Sequence, residues 1–86
     1  MYDVRLTLEA LRAYREAEGV LVRKINRCLD YLSFNPYAHP NIKRLSGAYR
    51  GRWRFRLGDW RIIYCVDEGR KEVTVMAICH RREAYR

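Results

Sequence analysis

The chain has 86 residues, 49% of them hydrophobic, and carries a formal net charge of +8. This length predicts one domain, residues 1–86, with a modest core, and the charge predicts a polyanionic partner such as nucleic acid or an acidic protein. No apolar run approaches the ~20 residues of a membrane helix and no apolar secretory segment opens the chain, so we expect a cytoplasmic protein without a membrane partner.

Cys28, Cys65 and Cys79 are odd in number and far apart, a pattern typical of neither a disulfide framework nor a metal site. We interpret all three as small buried apolar residues. His39 and His80 are not at ligand spacing, and no acidic cluster is suited to Mg²⁺. The sequence therefore predicts no metal and no other cofactor.

The first part of the chain has the pattern of a strand followed by two helices. Residues 1–6 alternate between apolar and polar, which indicates a strand. Thr7 is placed to cap a first helix, which Gly19 ends. A second helix is predicted over 20–33, because the residue before Pro36 disfavours helical geometry. Its predicted buried face consists of Leu21, Ile25, Cys28, Leu29 and Leu32, and its basic residues, Arg23, Lys24 and Arg27, are interpreted as solvent-facing.

A connector with turn residues, 36–51, leads into the most regular part of the sequence, and within it 42–45 adds a short strand or turn. From Arg52 to Leu57, arginine alternates strictly with large apolar residues. Gly58-Asp59 is suited to a two-residue hairpin turn, and a return strand follows over 60–66. This register places Trp53, Phe55, Leu57, Trp60, Ile62 and Tyr64 on one face and Arg52, Arg54, Arg56 and Arg61 on the other.

The nearly continuous apolar run over 72–79 predicts a central strand covered on both faces. A second basic cluster follows over 80–86, with one imidazole and one aromatic ring. Two antiparallel helices packed on one face of the sheet would cover the apolar side of the hairpin.

The arginine face of the hairpin has two interpretations. Like charges directly opposite each other destabilise a sheet, and an anion would relieve the repulsion, since guanidinium fits phosphate oxygens. Alternatively the face is simply solvated and arginine is favoured by codon usage, because the chain holds fifteen Arg and only three Lys.

The predicted sheet brings the hairpin arginines together with the basic cluster after the last strand. Cations beside an aromatic ring suit single-stranded RNA. A metal-free protein cleaves RNA by removing the 2′-hydroxyl proton, stabilising the phosphoryl charge and protonating the leaving 5′-oxygen. Arginine supplies only the second action, which leaves proton transfer to His80 or Tyr85. The alternatives are that His80 is bonded to backbone and that Tyr85 caps the core.

The expected catalytic residues are Arg54, Arg56, Arg61, His80, Arg81 and Tyr85, and further RNA contacts are expected from Lys43, Arg44, Arg50, Arg52 and Arg82.

The segments LSGAYRGRWRFRLGDWRIIYCVDE (45–68) and VTVMAICHRREAYR (73–86) resemble the RelE/ParE superfamily of type II toxins, and RelE-type toxins in particular. The resemblance implies an α+β fold of order β-α-α-β-β-β, with two antiparallel helices on one face of a mostly antiparallel four-stranded sheet. It implies a ribosome-dependent endoribonuclease, an mRNA interferase that cuts mRNA in the A site and inhibits translation. The implied partners are the ribosome with its mRNA and an acidic, RelB-like antitoxin, in a heterotetramer with the toxin.

Under this resemblance, the family's basic hairpin positions fall on Arg54, Arg56 and Arg61, its arginine after the last strand on Arg81, and its terminal tyrosine on Tyr85. His80 stands where relatives often have histidine or lysine. The RelE-type pattern has lysines on the first hairpin strand, one of them a proposed proton acceptor. The arginines of this chain therefore leave the identity of the proton acceptor open.

Two other functions are compatible with the sequence. One is a ParE-like poison of DNA gyrase on the same fold, whose members generally lack the arginine and tyrosine constellation. The other is a non-catalytic module that binds RNA or the ribosome through the same basic face.

Overall fold

The computed structural model describes residues 1–84, so Tyr85, one of the predicted site residues, lies outside the described residues. The elements in chain order are strand β1 (Asp3–Leu6), helices α1 (Leu8–Glu16) and α2 (Gly19–Phe34), strand β2 (Ile42–Arg44), a 3₁₀ turn (Gly47–Tyr49), and strands β3 (Trp53–Leu57), β4 (Trp60–Asp67) and β5 (Glu72–His80).

The strands form one sheet in the order β1-β5-β4-β3-β2. β1 runs parallel to β5, and the other neighbours are antiparallel. The predicted α+β class is confirmed, but the sheet has five strands instead of the predicted four. The additional strand is β2, which the sequence predicted only as a short strand or turn, because three residues are too few for an alternation to be diagnostic.

Both helices begin close to the predicted positions, but α1 ends at Glu16, with Ala17 as its cap residue, and Gly19 begins α2 instead of ending α1. The Thr7 hydroxyl accepts the Ala10 N–H at 3.2 Å and donates to the Met76 carbonyl at 3.0 Å, so this cap also fixes α1 to β5. α2 ends at the cap residue Asn35, directly before proline. Within residues 1–84, no helix combines the length and apolar character needed to cross a bilayer.

One apolar core lies between the two helices and one face of the sheet. Its buried members are Ala10, Ile25, Cys28, Leu32, Phe55, Ile62, Tyr64, Val73, Val75 and Ile78. The buried Tyr64 hydroxyl donates a hydrogen bond to the Pro36 carbonyl at 2.6 Å, so this polar group is not left unpaired in the core. Burial raises the pKa of the Cys28 thiol to about 12, as expected of a structural cysteine.

Two expectations about burial are corrected. β5 is central, but only the core face is fully covered, since Thr74, Met76 and Ala77 stay partly exposed on the strand. Cys28 is buried as predicted, whereas Cys65 and Cys79 are only half-buried. Cys65 lies opposite Thr74 and Cys79 lies opposite Arg61, so both cysteines fall on the face away from the helices.

The hairpin has the predicted register. Leu57 lies opposite Trp60 and Arg56 opposite Arg61, so apolar and basic side chains separate onto opposite faces. Gly58 has φ of 60°, the positive value expected at the first turn position.

Candidate functional site

The sheet face without helices, here called the open face, bears a shallow groove of about 410 Å³. We call it the cation groove. It is lined by Lys43, Arg44, Leu45, Ser46, Tyr49, Arg54, Arg56 and Arg61.

Strand register brings the basic side chains of the groove together. Lys43 of β2 lies opposite Arg54 of β3, and Arg56 of β3 lies opposite Arg61 of β4. Directly opposed residues point to the same face, so three adjacent strands present cations side by side. No carboxylate of residues 1–84 lines this groove. The arrangement is therefore suited to an anion with several oxygens, such as a phosphodiester.

Backbone carbonyls hold two of the guanidinium groups in place. The Arg61 Nη1 donates to the carbonyls of Gly58 at 2.7 Å and Trp60 at 3.0 Å. The Arg54 Nη1 donates to the Asn41 carbonyl at 3.1 Å. A guanidinium has five N–H donors, so each arginine keeps donors for a ligand while its position is already set. Donors oriented in advance stabilise developing charge more effectively than donors that must reorganise.

Arg81 lies beside the hairpin turn, at the end of β5. Its backbone N–H donates to the Asp59 carbonyl at 2.7 Å, and its Nε is 3.8 Å from the Asp59 carboxylate. Both side chains are more than half exposed, so this ion pair is weak. Arg81 is next to the turn that positions Arg61, but it does not line the cation groove.

His80 does not converge with the arginines, and this part of the predicted geometry is wrong. Residue 80 pairs with Trp60, and the two rings are 5.7 Å apart on the helix side of the sheet. The His80 Nδ1 accepts the backbone N–H of Arg82 at 3.4 Å. The reason is a bulge in the pairing of β4 with β5 between Ile63 and Tyr64, after which Cys79, not His80, lies opposite Arg61. The alternative interpretation, a strand-end histidine bonded to backbone, describes His80 in the structure.

The remaining predicted RNA contacts are dispersed. Arg44 borders the cation groove, but its guanidinium carbon is 5.6 Å from the centroid of the Trp53 ring, which belongs to the apolar face. Arg52 borders a separate hollow on the open face. Arg50 and Arg82 are exposed and do not line the cation groove.

Two contributors to the site were not identified from the sequence. Tyr49 adds an aromatic ring to the groove, and Asn41 supplies the carbonyl that holds Arg54. The ring of Tyr49 within the basic run 49–56 was the available signal. No sequence signal pointed to the Asn41 carbonyl, since every residue has a backbone carbonyl. Within residues 1–84, no three His, Cys, Asp or Glu side chains are grouped to hold a metal ion.

Comparison with known proteins gives a family match over nearly the whole chain. The family model described as ParE toxin of type II toxin–antitoxin system, parDE, matches residues 4–85. No curated protein matches the sequence significantly.

Several solved structures share the fold. The archaeal RelE–RelB complex from Pyrococcus horikoshii OT3 superposes with a TM-score of 0.81 at 25% identity, covering 96% of this chain and 98% of that chain. The RelBE2 toxin–antitoxin complex from Mycobacterium tuberculosis gives 0.80 at 24% identity, over 92% and 96% of the two chains. A YoeB/ParE toxin from Agrobacterium tumefaciens gives 0.81 at 22% identity, over 91% and 96%.

Proposed function

The chain belongs to the ParE toxin family of type II toxin–antitoxin systems, within the RelE/ParE superfamily, and from this premise we propose that it is a ribosome-dependent endoribonuclease. In this proposal the toxin acts in the cytoplasm, enters the ribosomal A site and cleaves mRNA there by attack of the 2′-hydroxyl on the adjacent phosphate, without a metal. Translation stops as a result.

The observation that carries the proposal is the cation groove. Lys43, Arg54, Arg56 and Arg61 line one groove without a carboxylate from residues 1–84. The geometry suits charge that builds on phosphoryl oxygens in the transition state. Arg54 and Arg61, fixed by carbonyls, provide this stabilisation, while Arg56 and Lys43 hold the RNA backbone. Arg81, at the neighbouring turn, extends the contact with RNA beyond the groove.

We assign removal of the 2′-hydroxyl proton to Lys43. Arginine is not deprotonated in proteins, whereas a lysine side chain can lose its proton, and the neutral amine then accepts the 2′-hydroxyl proton as a general base. Lys43 lies directly opposite Arg54 in the groove, while His80 is on the other side of the sheet. The RelE-type lysine of the first hairpin strand is thus replaced in this chain by a lysine from β2. Tyr85 stays the predicted ring for base stacking or protonation of the 5′-oxygen.

The proposed protein partner is an acidic antitoxin. The relatives from P. horikoshii and M. tuberculosis are toxin–antitoxin complexes, and a relative from Staphylococcus aureus is a heterotetrameric YoeB–YefM complex. A net charge of +8 favours an acidic partner. We propose the same type of heterotetramer for this toxin.

A second candidate function is poisoning of DNA gyrase, which the description of the matched family as ParE toxin favours. It would not require a groove suited to a scissile phosphodiester. A non-catalytic module that binds RNA or the ribosome is the third possibility.

Mapping mRNA 5′ ends after brief induction of the toxin tests the proposal. We expect new 5′ ends within translated codons, no cuts in untranslated RNA, and an arrest of protein synthesis. A DNA damage response with intact mRNA would establish the gyrase function instead. Translation arrest without any mRNA cleavage would leave the non-catalytic module that binds RNA or the ribosome as the function.

A further inference from the structure

A second hollow, of about 520 Å³, adjoins the cation groove and extends from the open face to α1, whose Glu9 and Ala13 line it. Its floor is apolar, formed by Ile63, which is 5% exposed, and by Met76 and Ala77 of β5. Tyr49 lines both this hollow and the cation groove. The volume lies within the range of small-molecule pockets. A flat apolar group attached to a phosphate in the groove would therefore reach the hollow past the Tyr49 ring.

The rim of the hollow carries two carboxylates and one guanidinium, that of Arg52. Glu9 comes from the first turn of α1 and Glu83 from the turn after β5. Burial raises the pKa of the Cys79 thiol most, the charges of Glu83 and Glu9 raise this pKa further, and the charge of Arg61 lowers it. Cys79 lines the hollow together with both carboxylates and lies opposite Arg61 of the cation groove, so the hollow borders the residues of that groove.

This combination of an apolar floor with two carboxylates and one guanidinium selects among RNA groups. Carboxylates repel phosphate and, when ionised, only accept hydrogen bonds. The Watson–Crick edge of guanine presents N1–H and the 2-amino group as adjacent donors, which match the two oxygens of a carboxylate. Uracil presents one N–H between two carbonyl oxygens, which a carboxylate repels. RNA-binding proteins read unstacked bases in this way, by stacking and by hydrogen bonds to the Watson–Crick edge.

We propose that the second hollow is a nucleobase subsite that selects guanine in the nucleotide next to the phosphate bound by the cation groove. Tyr49 stacks on the base, Ile63 and Ala77 contact its face, and Glu9 or Glu83 accepts its N–H groups. The inference rests on the proposed function for its substrate, single-stranded RNA, and assigns that substrate a base preference.

The test measures binding of uncleavable RNA. Fluorescent oligonucleotides with 2′-O-methyl groups, identical except for one central base, are titrated with the purified toxin. We expect the guanine oligonucleotide to bind about tenfold more tightly than the uracil one, since a bidentate contact to a base discriminates by about 1–3 kcal/mol. In Glu9→Gln/Glu83→Gln the guanine-to-uracil ratio should fall to about 1, because carboxamides also donate hydrogen bonds and no longer oppose uracil.

The matched control is Glu16→Gln/Glu18→Gln, which removes two exposed carboxylates that do not line the second hollow. It should keep the guanine preference, because any general gain in RNA affinity cancels in the ratio. Ala77→Leu fills the hollow and should lower the affinity for guanine while leaving that for uracil unchanged.

Equal affinities of the wild type for guanine and uracil, or an unchanged ratio in Glu9→Gln/Glu83→Gln, would overturn the subsite. These measurements need neither cleavage nor ribosomes. A toxin that prefers guanine but cuts no mRNA would refute the proposed function alone, and a toxin that cuts mRNA without any preference would refute the subsite alone.

Discussion

The basic side chains of the open face differ in how firmly they are held. Arg54 and Arg61 are half-buried and donate to backbone carbonyls, whereas Arg56 and Lys43 are exposed. A held guanidinium loses less side-chain entropy when it binds a ligand. We therefore expect Arg54 and Arg61 to contribute most to catalysis, and Arg56 and Lys43 to contribute through charge or proton transfer.

Arg61→Ala should abolish toxicity and lower mRNA cleavage at least about 100-fold, the usual loss when one donor to a developing oxyanion is removed. The thermal midpoint should change little, because Arg61 is only half-buried and its neighbours in the core stay in place. Arg81→Ala should also abolish toxicity. Arg23→Ala, on the exposed side of α2, is the control and should retain full cleavage. Undiminished toxicity of both Arg61→Ala and Arg81→Ala would contradict the site.

Lys43→Arg separates charge from proton transfer. Arginine keeps the positive charge of the groove but is not deprotonated, so cleavage should fall about 100-fold or more, the contribution typical of a general base. Binding of uncleavable RNA should stay within about twofold, whereas Lys43→Ala should weaken binding as well. Wild-type cleavage by Lys43→Arg would exclude Lys43 as the proton acceptor.

Glu68 connects three distant parts of the chain. Its carboxylate accepts hydrogen bonds from Lys71, Tyr37 and Tyr2, and these lower its pKa from the ordinary 4.5 to about 2. A depressed pKa in the folded state means that stability is fully present above the unfolded pKa and is lost as pH falls through the folded one. The contribution of Glu68 should therefore decline as pH falls from 4.5 to about 2.

Thermal midpoints of Glu68→Gln and the wild type, measured between about pH 6 and about pH 2.5, test this dependence. The variant should be less stable at the upper pH, and the difference should shrink as pH falls. Glu18→Gln is the control, because Glu18 makes no capping hydrogen bond with its side chain. A difference that is constant with pH would contradict the role of the ionised carboxylate.

Among the elements, the hairpin of β3 and β4 sets the position of the groove. Strict alternation separates apolar and basic residues, and the tight turn fixes which of them face each other. β5 then breaks the simple alternation, because a bulge between Ile63 and Tyr64 shifts its pairing with β4. Beyond this bulge, Cys79 lies opposite Arg61 and His80 lies on the helix side.

Gly58→Ala should destabilise the protein by about 1–2 kcal/mol, the cost of a left-handed conformation for a residue with a Cβ. The added methyl group meets nothing within 4 Å, so the effect comes from the backbone alone. Chemical denaturation measures it. Gly69→Ala is the matched control, since its φ is not positive and its Cβ would make an ordinary contact with Asp67 at 3.5 Å. Equal stability of the two variants would contradict the turn conformation.

At the scale of the whole molecule, the two faces of the sheet have different tasks. The helices cover one face and complete the core, while the open face keeps its cations and its two hollows accessible. Because the core is complete without the open face, substitutions there should change ligand binding more than stability. The net charge of +8 adds long-range attraction for polyanions, among them the RNA of the proposed function, to the local contacts.

Salt dependence measures how many groove cations contact phosphate. Lys43, Arg54, Arg56 and Arg61 line the groove, and four phosphate contacts to single-stranded RNA predict a slope of about −3 for the logarithm of the binding constant against the logarithm of salt concentration. Arg56→Ala should reduce the slope by about 0.7, and Arg23→Ala should not change it. A slope near zero would show that binding does not depend on the cation groove.

The sequence by itself determined the α+β class, the two helices, and the hairpin with its apolar and arginine faces. These features depend on contacts between residues close in the chain, and each leaves a periodicity of 2 or 3.6 residues or a turn signal. Only the tertiary structure decided that Lys43 and Tyr49 join the arginines, that a backbone carbonyl holds Arg54, and that His80 lies on the other face. Those placements depend on strand pairings and a bulge between distant segments, and neither leaves a local pattern that a single sequence displays.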